Sequence, residues 1–321
     1  MAMPVQTLYL GVDVSKASLA LCLGPEQPVQ TLPNTAADIA RWLATLPAGP
    51  VCLALEATNT FHLDFIEQAY RRGYTVYLVD GYRLSRYRDS LGVRAKTDAS
   101  DAQLLHRYLI REHRDLRPWS PPPAGYTRLQ RLLHRRAGLV RARVALQQSL
   151  ADLPELQRAA IPLLRQFARL DALIQTRLRE TLAQLDWTPD CARCQAIEGI
   201  GPLTATALTL AFHRGHFRTS DAFIAFLGLD VRVRDSGQLR GRRKLTKKGD
   251  PELRRLLHLA AMQASRSSRW NAFYQRYLER GLSKIQALVI LARKLARVAF
   301  ALLKQQTDYL PKTTSEACGQ T

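Results

Sequence analysis

Four carboxylates stand at positions where an α/β fold brings side chains together. Asp13 lies at the end of the apolar run Leu8–Val14, and Glu56 directly follows the apolar run Val51–Leu55. Asp98 and Asp101 open a stretch of helical spacing that Thr97 is placed to cap. Residues three apart on a helix lie about 60° apart around its axis, so both aspartates can face one point. Acids at strand ends and at a helix start suit a pair of Mg²⁺ ions. Hard cations take carboxylate oxygen, and two of them can clamp both oxygens of a phosphodiester displacement. Each acid alone has an ordinary reading: Asp98 and Asp101 suit the helix dipole, and Asp13 before Ser15 suits a turn. The joint arrangement is what points to metal.

A second constellation surrounds Ser236-Gly237. Between Val231 and Lys248 lie eight basic residues, Arg232, Arg234, Arg240, Arg242, Arg243, Lys244, Lys247 and Lys248, with Asp235 the only acid. A glycine beside a serine frees the backbone to present the hydroxyl, and nearby cations can hold a scissile phosphate. Serine needs a base or metal to become a nucleophile, and no histidine lies close in sequence. On the residues alone, a polar turn in a nucleic-acid-binding loop is the better reading of Ser236-Gly237.

The elements that must position these groups follow from apolar patterning. Leu8–Val14 and Ser18–Leu23 read as strands joined by a tight turn, Val51–Leu55 and Tyr74–Val79 as further strands, and Phe61–Arg72 as a helix that Gly73 ends. A helix runs from Thr97 to about Arg111. Strands alternating with helices predict an α/β domain over residues 6–116. The segment Arg117-Pro118-Trp119-Ser120-Pro121-Pro122-Pro123 reads as a stiff linker. Residues 117–190 combine it with a helical or coiled-coil region in which Leu164, Phe167, Ile174, Leu178 and Leu185 recur at helical spacing. Pro154 and Pro162 predict two or three helices there rather than one rod. Residues 191–306 form a mainly α C-terminal domain. In it, Ile197-Glu198-Gly199-Ile200-Gly201-Pro202 has the form of a helix-hairpin-helix turn whose following helix offers backbone N–H groups to phosphate. Residues 307–321 read as a disordered tail.

The chain of 321 residues carries 47 Lys and Arg against 27 Asp and Glu, a formal net charge of +20, and 38 of the basic residues are arginine. This charge fits a small-metabolite enzyme poorly and predicts a polyanionic partner, nucleic acid first. No apolar stretch is long enough to span a membrane, and the start lacks the features of a signal peptide. Five irregularly placed cysteines make no disulfide framework, so the expected compartment is reducing cytoplasm. Cys191, Cys194, His213 and His216 are poorly spaced for a zinc finger. His62, His106, Trp187 and Trp270 read as packing residues. Arg131, Arg135, Arg136, Arg141 and Arg143 form a basic helix face suited to phosphate or RNA.

Three segments carry a family resemblance: Gly11-Val12-Asp13-Val14-Ser15-Lys16, Leu55-Glu56-Ala57-Thr58 and Arg94-Ala95-Lys96-Thr97-Asp98-Ala99-Ser100-Asp101-Ala102. They resemble the DEDD transposases of the insertion-sequence one-ten family, to which the Piv-type DNA invertases are related. Phe226-Leu227-Gly228-Leu229, Asp235-Ser236-Gly237, Leu245-Thr246-Lys247-Lys248-Gly249 and Leu253-Arg254 are similar to that family's C-terminal transposase domain. The resemblance spans about residues 7 to 305. It implies a RuvC-like, RNase H type N-terminal fold in which Asp13, Glu56, Asp98 and Asp101 hold Mg²⁺. It implies that Ser236 is the nucleophile joined to DNA, in a composite site shared between subunits of a homodimer or homotetramer. It also implies a structured guide RNA that pairs with donor and target DNA. Two rivals stay open on the residues alone: a RuvC-like nuclease that activates water, and a non-catalytic nucleic-acid-binding protein.

Overall fold

The computed structural model describes residues 7–58, 60–92, 97–232, 235–236, 239–240 and 243–310, with only the backbone described at 235–236 and 239–240. The chain divides into two compact units, residues 1–121 and 122–321.

The first unit is built on a mixed five-stranded sheet. Its strands are β1 (Leu8–Val14), β2 (Ser18–Cys22), β3 (Gln30–Pro33), β4 (Val51–Glu56) and β5 (Thr75–Val79), in the order β3-β2-β1-β4-β5. β1 to β3 run antiparallel, while β4 and β5 lie parallel to β1. Helices α1 (Ala36–Leu43), α2 (Leu63–Arg71), α3 (Gly81–Ser90) and α4 (Asp98–Glu112) complete it.

Side chains alternate across a strand, so each strand divides its residues between two layers. Leu10, Val12, Leu19, Leu21, Leu53, Leu55 and Val76 pack with Ile39 and Leu43 of α1 and Phe65 and Ile66 of α2 in one fully buried cluster. The opposite face carries smaller residues. Ala54, Tyr77 and Val79 pack with Leu105, Tyr108 and Leu109 of α4, and Ala20 and Cys22 pack with Ala102. Covered on both faces, β1 and β4 read as nearly continuous apolar runs.

Gly11 fixes how closely α4 approaches. A Cβ at this position would lie 2.0 Å from the Ala102 carbonyl oxygen and 2.3 Å from the His106 nitrogen. Only glycine lets α4 lie directly on β1. Thr97 caps α4, accepting from the Ser100 N–H, and Ser100 reciprocates to the Thr97 N–H.

The second unit is mainly helical. It comprises α5 (Tyr126–Ser149), α6 (Pro154–Gln184), α7 (Thr188–Gln195), α8 (Pro202–His213) and α9 (Ser220–Phe226), then two-residue strands β6 (Val231–Arg232), β7 (Asp235–Ser236), β8 (Leu239–Arg240) and β9 (Lys244–Leu245), and α10 (Pro251–Ala264), α11 (Ser268–Glu279) and α12 (Lys284–Gln305). One core joins the base of the α5–α6 hairpin to the C-terminal helices. Leu129, Leu133, Ile174 and Leu178 share it with Leu208, Phe223, Leu257, Leu291 and Leu295.

Several elements differ from the sequence expectation. β3, α1 and α3 are additional, and Pro162 lies inside α6 without ending it. Residues 158, 161, 162 and 163 are exposed, so water can serve the carbonyl that proline leaves without a donor. Pro154 does mark a boundary, as the first residue of α6. Of the expected tail, residues 311–321 lie outside the described residues. Among the described residues no helix is long and apolar enough to cross a membrane.

Candidate active site

Strand register brings two acids side by side. The last paired residues of β1 and β4 are Val12 and Leu55, and Asp13 and Glu56 are the next residue on each strand. Each stands two residues beyond the facing pair Gly11–Ala54, and so on the face that α4 covers. The close approach at Gly11 then carries the first turn of α4, with Asp98 and Asp101, towards the same strand ends.

The electrostatics register this convergence. The Asp13 carboxyl is pushed up from 3.8 to about 6, first by burial and then by the negative charges of Asp101, Asp98 and Glu56. Asp13, Glu56 and Asp101 are half-buried, and Asp98 is exposed. Asp101 also accepts a hydrogen bond of 2.6 Å from the Arg88 guanidinium of α3, with both side chains about 15% exposed. The donor set is carboxylate oxygen throughout, which suits a hard divalent cation. Among the described residues, no three His, Cys, Asp or Glu side chains are grouped closely enough to hold one metal ion. Asp101, Asp98 and Glu56 all bear on the Asp13 carboxyl electrostatically.

Ser236 lies on a narrow β arm in the second unit. β6 pairs with β9 through Val231–Leu245 and Arg232–Lys244, and β7 pairs with β8 through Asp235–Arg240 and Ser236–Leu239. Ser236 and Leu239 form the arm's outermost described pair. The base is pinned where the chain leaves and returns. Gly228 adopts φ +69°, and a Cβ there would lie 2.7 Å from the Gly249 nitrogen. A Cβ at Gly249 would meet the Leu227 backbone at 2.6 Å. Thr246 bonds Asp230 through both its backbone N–H, at 3.0 Å, and its hydroxyl.

Arg232, Arg243, Lys244, Lys247 and Lys248 are exposed along the arm and its base. Arg234 and Arg242 lie outside the described residues, and the side chains of Ser236 and Arg240 are not described. Arg232 and Lys244 stand directly opposite each other on paired strands. Like charges in that relation are destabilising.

Other groups weighed in the sequence resolve into structure. Cys191 contacts the Thr206 hydroxyl at 3.7 Å, and burial pushes the Cys194 thiol up to about 12. His213 stacks on Trp187 at 4.1 Å and bonds Asp190 at 2.8 Å. Cys191 and His213 thus each have a partner within the second unit. His62, His106, Trp187 and Trp270 are buried. Of the basic face on α5, Arg131, Arg135 and Arg141 are exposed, whereas Arg136 is drawn to Asp171 of α6 at 2.8 Å. The turn before α8 places Gly201 at the exposed helix start with open space around it, while Gly199, at φ +90°, packs against Ala260 and Ala264 of α10.

Sequence reasoning missed Arg88 and Gly81. Asp80-Gly81 reads as a turn, and Leu84 is the only buried residue of α3, so no apolar stripe announces the helix. The signal available was Asp80 as a cap, whose carboxylate accepts from the Arg83 N–H at 3.1 Å.

Known proteins share long stretches of this sequence. Residues 10–156 match the transposase model DEDD_Tnp_IS110, and residues 191–275 match the model of the Transposase IS116/IS110/IS902 family. The chain is 26% identical to the pilin gene-inverting protein of Moraxella bovis, over 94% of this chain and 97% of that one. It is also 26% identical to the transposase for insertion sequence element IS1111A of Coxiella burnetii, over 94% and 90%. A probable family 20 transposase of Pseudomonas aeruginosa is 34% identical over 44% of each chain. With the two transposase models matched one after the other along the sequence, the chain belongs to the IS110/IS116 family of DNA transposases.

Proposed function

We propose that this transposase cuts and rejoins DNA through a Ser236 nucleophile, assisted by the acids Asp13, Glu56, Asp98 and Asp101. The observation that carries the reading is the convergence of four carboxylates at the ends of β1 and β4, reported by the raised Asp13 carboxyl. The sheet order, with an antiparallel β1–β3 meander extended by parallel β4 and β5, supports a RuvC-like, RNase H type unit.

When bound there, a pair of Mg²⁺ ions supplies Lewis-acid stabilisation of charge on the attacking and departing oxygens. The protein's own groups do the rest. The basic β arm carries Ser236 to a phosphodiester, and its exposed cations hold the phosphate. The Ser236 Oγ forms a bond to phosphorus as the bond from phosphorus to one strand's oxygen breaks. The hydroxyl proton leaves to a base, and the departing oxygen takes up a proton. A strand end of the partner DNA then attacks the phosphoserine and releases Oγ. One phosphodiester is exchanged for another, so no ATP is consumed.

The like-charged pair Arg232–Lys244 supports a polyanion at the arm, because a phosphate approaching both cations removes their repulsion. A structured guide RNA follows from the family resemblance and fits the exposed Arg131, Arg135 and Arg141 of α5. A homodimer or homotetramer fits the exposed apolar residues of the α5–α6 hairpin, among them Leu153, Leu156, Ile161, Leu163, Leu170 and Leu173.

The test is a covalent trap. The protein is co-expressed with its flanking DNA so that any guide RNA is transcribed. Labelled donor and target duplexes are supplied with Mg²⁺, and the mixture is denatured in detergent. Protein-linked DNA that disappears in Ser236→Ala and Asp13→Ala is expected. Nicked DNA without an adduct, persisting in Ser236→Ala, would replace this reading with hydrolysis by the acids alone.

A further inference from the structure

We propose that α3 positions two of the four acids, through Gly81 and Arg88; this rests on the metal reading of those acids. The two contacts are unlike each other and lie on one helix. A Cβ at Gly81 would lie 2.2 Å from Glu56 Oε1 and 2.9 Å from its carboxyl carbon, so the carboxylate fills the space that any side chain would take. Gly81 has no left-handed φ, so its backbone does not itself require glycine. A Cβ there would displace the Glu56 carboxylate, the movable end of that side chain, from its present seat. The backbone brings the two together because Glu56 pairs with Val79, and the chain turns into α3 two residues later.

Seven residues on, Arg88 donates through Nη2 to Asp101 Oδ1 at 2.6 Å. Positions i and i+7 lie within about 20° of each other around a helix, so Gly81 and Arg88 share one face. That face meets the acids. Among the described residues, the hydrogen bonds to Asp101 fall on Oδ1, from Arg88 and, at 3.5 Å, from Ser100. Oδ2 is left for a cation. The guanidinium therefore fixes the Asp101 rotamer and supplies a fixed positive charge that lets the carboxylate stand near Asp13.

Little else accounts for α3. It buries Leu84 and sets Tyr87 edge-on to Tyr108 of α4, with ring centroids 5.1 Å apart. A helix with so small an apolar footprint has its most specific contacts with two acids of the site. Gly81 and Arg88 are thus positioning residues: neither offers a metal ligand, and both determine where a ligand stands.

The experiment measures Mn²⁺ binding to the full-length protein by electron paramagnetic resonance, with Asp13→Ala as the baseline. Gly81→Ala and Arg88→Ala should each weaken binding about 10-fold, the lower end of the range for partners that orient metal ligands. Arg88→Lys, which keeps the charge, should recover part of the loss. Urea unfolding adds a reading independent of metal. Gly81→Ala should change stability differently in the wild-type background and in one where Glu56 is already alanine. Wild-type affinity in both alanine variants, or tighter binding in Arg88→Ala, would overturn the proposal, as would an equal Gly81→Ala effect in both backgrounds. Wild-type binding no better than Asp13→Ala would instead remove the metal reading, and this inference with it, even if Gly81 and Glu56 remained coupled.

Discussion

Replacing Asp13 by Asn should make the metal-free protein more stable and inactive at once. The carboxyl is pushed up from 3.8 to about 6, by burial first and then by three neighbouring acids. The folded state therefore binds the Asp13 proton more tightly than the unfolded state does. Stability falls as pH rises from about 4 to about 6, and the full penalty is present above that window. At face value the shift corresponds to about 3 kcal/mol. Asp13 is only half-buried, so solvent screening reduces this to about 1–2 kcal/mol. Asparagine keeps the shape and removes the charge. In EDTA at pH 7.5, scanning calorimetry should place the N-terminal unit's transition about 3–8 °C higher in Asp13→Asn than in wild type. The difference should vanish near pH 4, where the wild-type carboxyl is neutral as well. Excess Mg²⁺ should narrow the gap, because only the wild type gains binding energy. A variant less stable than wild type at pH 7.5, or a gap that ignores pH, would refute the reasoning.

Gly11→Ala should destabilise the N-terminal unit by about 1–3 kcal/mol in urea titrations, since the new methyl meets α4 backbone atoms that cannot move independently. It should also impair DNA cleavage by separating Asp101 from Asp13. Arg232→Ser and Lys244→Ser should each reduce the salt dependence of DNA binding by about one phosphate contact, measured by anisotropy from 50 to 200 mM salt. A zinc-selective chelator should leave the unfolding of the C-terminal unit unchanged, because Cys194 is fully buried and His213 is engaged by Asp190 and Trp187.

The central strands and α4 were legible because each declares itself locally. β1 and β4 are apolar runs ending on acids, and Thr97-Asp98-Ala99-Ser100 is a cap followed by a helical pattern. α1 was available but unread: Thr35 accepts from the Asp38 N–H, a cap signature written in the sequence. β3 buries Leu32 alone, so an edge strand of four residues leaves almost no pattern. Pro162 misled because its cost depends on whether water reaches the neighbouring carbonyl, which is tertiary information. The acids could be listed from sequence, but their meeting depends on the Gly11–Ala54 register and on an absent Cβ. Arg88 was invisible for the same reason: nothing local to α3 says that its arginine will meet Asp101.

Both candidate centres set like charges close to one another, four acids at the strand ends and the pair Arg232–Lys244 on the arm. At the strand ends, burial first and then three neighbouring carboxylates hold the Asp13 carboxyl up at about 6. Along the β arm, cations face each other across paired strands above two tightly packed glycines. Neither arrangement is what stability alone would select, since residues that violate a local rule lower the stability of the free protein. The two violations have opposite sign. On the proposed function, a divalent cation would relieve the first and a phosphodiester backbone the second. A reaction that brings metal and DNA phosphate together relieves both in one step. The net charge of +20 draws the polyanion in, and the acids remain a local negative well within that positive field. Adding salt should therefore weaken DNA capture far more than it weakens Mn²⁺ binding at the acids, because the half-buried site is screened less than the exposed arm. Equal salt sensitivity of the two would show that the acids are not the enclosed well their geometry describes.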